Sequence, residues 1–248
     1  MTEASVATTM SAPTARSSSD QSTALTYLAV SVAIAGTVVW GFWSSYFGPL
    51  IAGTVTRPWF IHGHAAVFLG WVALLITQAS FIAFGKVALH RRVGRAGAFY
   101  GALVFGVGFA VSIAAPALRV RSGVLSERVA SLVVLYNLVD ILCFGGFFAA
   151  ALVSRRRSEW HKRWILVATT ALLGAAVGRV VQDQLIYRAL WLSPLVALMV
   201  IDLSSRRRVH PASLIGVSIL FVASFKVAII AMSPVWAAIG RTLLGLSP

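Results

Sequence analysis

Residues 129–153 read VASLVVLYNLVDILCFGGFFAAALV, a run of apolar side chains interrupted by one carboxyl, Asp140, and one thiol, Cys143. A helix needs roughly 20 predominantly apolar residues to cross the hydrocarbon core of a bilayer, and this run is long enough. It is too long and too uniformly apolar for a barrel strand. An open sheet edge in lipid would leave backbone groups unpaired, so the run reads as a helix. Ser154-Arg155-Arg156-Arg157 follows at once, a basic run at the margin of an apolar one, which is how orientation is encoded in a bilayer.

Working outward, six more apolar segments share this character: 24–47, 59–84, 96–118, 160–178, 185–203 and 212–239. The segments at 160–178 and 185–203 are short for a crossing, and a buried hairpin is the alternative for those two. Composition agrees with a bilayer. Of 248 residues, 58% are hydrophobic and only 11% are charged, against about 25% charged in an average soluble domain. That excludes an ordinary cytosolic enzyme. A single cysteine excludes a disulfide scaffold. The net charge of +14 suggests nucleic acid, but the basic residues sit in short clusters between apolar runs, so no nucleic-acid partner is expected. Residues 1–23, rich in Ser, Thr and Ala, bury too little to offset ordering and read as a disordered tail. They lack the charged start of a secretory signal.

Expected connectors carry Lys86, Arg91, Arg92 and Arg95; then Arg155, Arg156, Arg157, Lys162 and Arg163; then Arg206, Arg207 and Arg208. Seven arginines, at 57, 119, 121, 128, 179, 188 and 241, fall on the other side. The excess on one side places the N-terminus in the cytoplasm. The fold class expected is therefore an all-α polytopic bundle of seven transmembrane helices over residues 24–248. It would lie in a bacterial inner membrane, with the lipid bilayer as its first partner.

Few polar side chains remain for chemistry. His64, Phe68, Trp71, Leu75 and Gln78 share one face of the second helix, and such a stripe should look into the bundle. It reads either as a cofactor wall or as a hydrogen-bonded packing stripe in which Gln78 finds a partner on another helix. His90, His161 and His210 fall on the cytoplasmic side at helix ends. Neutral imidazole is a ligand for haem iron, copper or zinc, and it also caps helices. Asp140 and Lys226 are both placed by residue counting near the bilayer midplane, where a lone charge costs a few kcal/mol, so an Asp140–Lys226 ion pair is expected, structural or as a proton relay. Arg179 and Asp183 have helical pair spacing, and Asp183 with Glu127 and His62 or His64 is a speculative metal site. There is no phosphate-cradling glycine loop, HExxH, cysteine pair or GxSxG elbow, which excludes nucleotide-driven transport and zinc proteolysis.

The order His64-Ala65, Trp71, Gln78, then LHRRVGRAG at 89–97, HKRW at 161–164 and HPA at 210–212 resembles a group of uncharacterised bacterial seven-span membrane proteins. It is loosely similar to haem-binding oxidase-assembly membrane proteins and to cytochrome b561. The resemblance implies one haem b or transition metal at the cytoplasmic face, with His90 and His161 as axial ligands and His64, Trp71 and Gln78 in the cofactor-binding set. Two haems do not fit, since His62 and His64 lie on one helix and point apart. The role implied is redox or respiratory assembly, with a respiratory complex or a second copy as partner. Two alternatives stand beside it: a proton-coupled permease using Gln78, Asp140 and Lys226, and a cofactor-free membrane subunit. A lysine in the last span also resembles retinal proteins, but no acidic counter-ion lies in the third.

Overall fold

The structure, a computed structural model, describes residues 18–54 and 56–246. Those residues form helices and turns, with no strand among them. In chain order the helices are α1 (Ser18–Phe42), α2 (Trp59–Ala83), α3 (Val87–Arg121), α4 (Glu127–Val153), α5 (Ser158–Val177), α6 (Gln184–Arg206), α7 (Pro211–Ala231) and α8 (Pro234–Leu243). A π-helical turn, Trp43–Phe47, and a short α-turn, Gly48–Ile51, prolong α1. The helix begins at Ser18, ahead of the expected Ala24. The rest of the expected disordered tail, residues 1–17, lies outside the described residues.

Among the described residues, six helices are long and apolar enough to cross a membrane: α1 with its extension, α2, α3, α4, α6 and α7. The count is therefore six rather than the expected seven, and the helix left out is α5. Its first two turns carry Glu159, Lys162 and Arg163, which lowers its apolarity. Its position explains how it keeps them. The other six form a ring in the contact order α1, α2, α3, α4, α7, α6 and back to α1, while α5 packs against α1, α4, α6 and α7. Twelve of its twenty residues are buried. A helix walled by protein need not be as apolar as one that meets lipid.

Two element boundaries differ from the sequence reading. The HRRVGR stretch is not a connector: Gly85, at φ +75°, turns the chain tightly after α2, and α3 starts at Val87. A helix of 35 residues is about 52 Å long, so its basic first turns extend past the apolar part. The last apolar segment is also broken. Ser233 caps α8 by accepting from the Trp236 N–H (3.1 Å), and Pro234 occupies its first position, the preferred start of a new helix. In α6, Pro194 removes an N–H, and the Ser193 hydroxyl donates to the Leu190 carbonyl (2.8 Å), satisfying the acceptor that proline frees.

The three basic stretches converge on one end of the bundle. There Arg163, 2% exposed, meets Asp202, 5% exposed. Its Nε donates to Asp202 Oδ2 (3.2 Å), its Nη2 to Asp202 Oδ1, and its Nη1 to the Glu159 carboxylate (2.6 Å) and carbonyl (3.0 Å). Glu159 also accepts from Lys162 (2.6 Å) and Arg206 (2.8 Å). The Asp202 carboxylate further accepts from the His210 backbone N–H (3.3 Å). The network joins α5, α6 and the start of α7. Removing one partner of a buried pair costs about 3–5 kcal/mol. Arg163→Ala or Asp202→Ala should therefore lower thermal stability in detergent sharply. The double change Arg163→Met with Asp202→Leu should recover most of the loss, and Glu159→Ala, at a half-exposed position, should cost less than either single change.

Candidate functional site

At the basic end, each expected histidine is engaged at a helix terminus. His161, in the first turn of α5, donates from Nδ1 to the Ala151 carbonyl (2.8 Å), one of the last four carbonyls of α4, which lack helical partners. His210 precedes α7 and accepts the Ala212 N–H on Nδ1 (3.1 Å), with its ring edge-on to Trp160. Burial and the Arg163 guanidinium hold His210 below the usual imidazole range, partly offset by Asp202. His90 lies on α3 facing Gln78 of α2. With its amide nitrogen toward His90, Gln78 donates to His90 Nδ1 (2.6 Å) and to the His90 carbonyl (3.1 Å), and accepts from the Gly94 N–H (3.2 Å). The interhelical partner expected for Gln78 is thus a turn of α3.

This arrangement sets the tautomers. The two backbone groups decide which way the Gln78 amide points, so His90 Nδ1 is an acceptor and the proton of the neutral ring resides on Nε2. His161 is the reverse: Nδ1 carries the proton and Nε2 keeps its lone pair, the orientation of a metal-ligating imidazole. His90 and His161 lie near enough to interact electrostatically. A haem or metal between them would need a lone pair from both, and only His161 offers one. No group of three or more His, Cys, Asp or Glu gathers as a metal site among the described residues. The residues present therefore do not fit the axial pair.

At the opposite end, His62 Nδ1 bonds the Tyr46 hydroxyl (2.9 Å), presented by the π-turn. His64 packs against Phe68, the rings tilted with centroids 4.2 Å apart, and its buried Nδ1 has no partner among the described residues. The stripe from His64 to Gln78 does face inward, but its centre is packing. Trp71 is 4% exposed, sits edge-on to Phe144 and Phe148, and donates to Thr169 on α5 (3.2 Å). His64 and Gln78 are thus at opposite ends, and Trp71 is a core residue between them. The expected Arg179–Asp183 pair is absent. Asp183 caps α6 through the Leu185 and Ile186 N–H groups (3.0 and 2.9 Å), and Arg179 donates to the Ala175 carbonyl.

Asp140 does not pair with Lys226. Lys226 is exposed on the outward face of α7, and neither residue forms an ion pair among the described residues. Depth was matched, but helical phase was not. On α7 the inward positions are Leu220, Ala223, Ser224 and Val227, which line a cavity with Tyr136, Asp140 and Cys143 of α4 and Gln184, Tyr187 and Trp191 of α6. Gly174 of α5 makes room for it. A Cβ there would stand 2.7 Å from the Tyr187 hydroxyl and 3.4 Å from both Asp140 Oδ2 and Trp191 Nε1. Trp191 Nε1 is spent on the Thr170 carbonyl (2.7 Å). Arg188 donates to the hydroxyl of Ser224 (3.2 Å), itself a lining residue, and lies over the face of Phe225. The cavity measures about 20 Å³, room for one water but not for an organic solute.

Sequence reasoning missed Glu159, Asp202, Tyr187 and Ser224. A signal was present for Asp202, the one carboxyl inside the apolar run of α6, which therefore needs a cation from a neighbouring helix. The amide orientation has a checkable result. Gln78→Leu should lower stability by about 1–2 kcal/mol through lost hydrogen bonds. In the wild type, imidazole ¹⁵N shifts should report His90 protonated on Nε2, and Gln78→Leu should release that preference. No family model, curated protein or solved structure matches this chain, so its function rests on the chemistry of these residues.

Proposed function

We propose that this chain is a multi-pass protein of a bacterial inner membrane, with α5 as a seventh, protein-walled crossing and the basic end in the cytoplasm. Twenty residues of α5 reach about 30 Å, the thickness of the hydrocarbon core. The basic stretches hold the larger share of positive charge, which favours the cytoplasmic side. An N-terminus on that side follows.

The working group in this reading is Asp140, and the activity is uptake and release of a proton or small monovalent cation, coupled to transport. One observation carries it: a carboxyl deep in the bundle faces a water-sized cavity with hydroxyl and amide neighbours but no cationic partner. A carboxyl kept in a membrane interior without a counter-charge marks an ion or proton path. The Tyr136 and Tyr187 hydroxyls and the Gln184 amide offer hydrogen bonds to a water beside it. Gln184 and Tyr187 open α6, so the cavity lies toward the non-basic end.

A second reading, haem or a metal in a respiratory-assembly role, rests on His161, whose Nε2 is free while Nδ1 is held by Ala151. A Soret band that disappears in His161→Ala would favour it over the first reading. The first reading predicts acidification of proteoliposome interiors under an imposed gradient, followed with a pH dye. Asp140→Asn should reduce the rate about ten-fold, the effect of roughly 1.4 kcal/mol on a barrier, and Gly174→Leu should do the same by filling the cavity. Lys226→Ala should leave the rate unchanged. Equal rates in wild type and Asp140→Asn would end the proposal.

A further inference from the structure

The Asp140 cavity has an order along its depth. α4 and α6 both run from the non-basic end toward the basic one, and each lines the cavity at successive turns. Tyr136 and Gln184 stand nearest the non-basic end, Asp140 and Tyr187 one turn further in, and Cys143 and Trp191 deepest. Gln184 is exposed, whereas Trp191 is buried, so the opening lies on the Gln184 side.

Tyr187 is fixed on the middle level. Its ring lies on that of Trp191, with centroids 5.7 Å apart and planes 26° apart, and Trp191 is itself pinned to α5 through the Thr170 carbonyl (2.7 Å). Gly174 and Gly178 leave the slot that the Tyr187 ring enters. A Cβ on Gly178 would stand 3.5 Å from Tyr187 Cε2, and one on Gly174 would stand 2.7 Å from the hydroxyl. The Gly174 point is also 3.4 Å from Asp140 Oδ2. One spot on the surface of α5 is thus within reach of both the phenol and the carboxyl. Among the described residues the two groups are not bonded to each other, and neither has another hydrogen-bond partner. Neighbouring groups are occupied: Ser224 donates to the Phe221 carbonyl (2.6 Å), and Arg188 donates to Ser224 (3.2 Å) and to the Gln184 carbonyl (3.2 Å).

Packing accounts for the ring, which fills the slot beside the glycines, and phenylalanine would fill it equally. Packing does not account for the hydroxyl. Buried polar groups are hydrogen-bonded in folded proteins, and a trapped water needs two to four polar partners. The cavity, at about 20 Å³, has room for one water. A water over Gly174 would give the phenol and the carboxyl the partner that each lacks.

We propose that Tyr187 is the proton relay to Asp140, acting through one water held over Gly174, with Gln184 at the entrance. The inference rests on the reading of Asp140 as a proton-exchanging carboxyl. In one transfer a hydronium ion at the entrance gives a proton to the Tyr187 oxygen as the phenol passes its own to the bridging water. That water passes a proton to the Asp140 carboxylate. Each O–H bond broken along the line is replaced by a new one, Tyr187 ends neutral, and the carboxylate has gained one proton. Release runs the same steps in reverse.

The test follows the infrared carbonyl band of the protonated Asp140 carboxyl, identified by its loss in Asp140→Asn. The full chain in detergent, at a pH acid enough to protonate that carboxyl, is mixed rapidly with D₂O. Tyr187→Phe keeps the ring and its stack on Trp191, and should slow exchange of the carboxyl proton about ten-fold. Gly174→Ala keeps every polar group but puts a methyl where the water lies. It should slow exchange similarly, and it decides the matter should Tyr187→Phe fail to fold. Lys226→Ala should exchange as wild type does. Exchange as fast in Tyr187→Phe as in wild type overturns the proposal. Slowed exchange, together with equal proton uptake by wild-type and Asp140→Asn proteoliposomes, upholds the relay and ends the transport reading, so the two fail separately.

Discussion

The bundle depends on one guanidinium. Arg163 sits at the hub of a ring of apolar helices, 2% exposed, and spends its donors on Asp202 of α6 and Glu159 of its own helix. Lipid supplies no hydrophobic drive for helix association, since acyl chains are as apolar as leucine, so packing and interhelical hydrogen bonds must do it. A charge in that setting is tolerated only when fully paired. Arginine suits the task because it stays charged and its fork meets a carboxylate along two parallel bonds. With Asp202 also accepting the His210 N–H, one ion pair fixes the registry of α5, the last turns of α6 and the start of α7.

That constraint explains why the apolarity of α5 is low and its burial high. A lone helix with Glu159, Lys162 and Arg163 in its first two turns would be poorly placed against lipid. Surrounded by protein, the same turns become the anchor of the basic end, and the remainder offers small residues to its neighbours. Gly174 and Thr169 show the two uses. One admits the Tyr187 hydroxyl and the Asp140 carboxyl to the helix surface, and the other accepts the Trp71 indole.

The apolar runs were legible because bilayer thickness imposes a length that composition alone reveals. Helix ends were less so. HRRVGR looked like a connector because it is basic, yet basic side chains sit comfortably on a helix that projects beyond the apolar layer. Ser233-Pro234 is a local start signal that was hidden inside an apolar run. Within the site, Gln78 was correctly expected to need a partner on another helix, whereas Asp140 was assigned the wrong one. Equal depth does not put two side chains on facing surfaces. The stripe Leu220, Ala223, Ser224 and Val227 shows where α7 turns inward, and Lys226 is off it. Arg163 was read as a topology charge, because its neighbours in the chain are; only the lone carboxyl in α6 distinguishes it.

Magnitude decides between the polar centres. The histidines at the basic end are spent on helix termini: His90 as acceptor from Gln78, His161 as donor to Ala151, His210 as acceptor from Ala212. Each bond meets a need that the fold would have in the absence of any ligand. Asp140 differs, because neither its helix nor its packing calls for a carboxylate there. A void of about 20 Å³ admits a water, and a water is what a carboxyl and its hydroxyl neighbours require to pass a proton on. The basic end shows the contrast. Its deepest charge, Arg163, is neutralised internally through Glu159 and Asp202, whereas the Asp140 carboxyl has no cationic partner among the described residues.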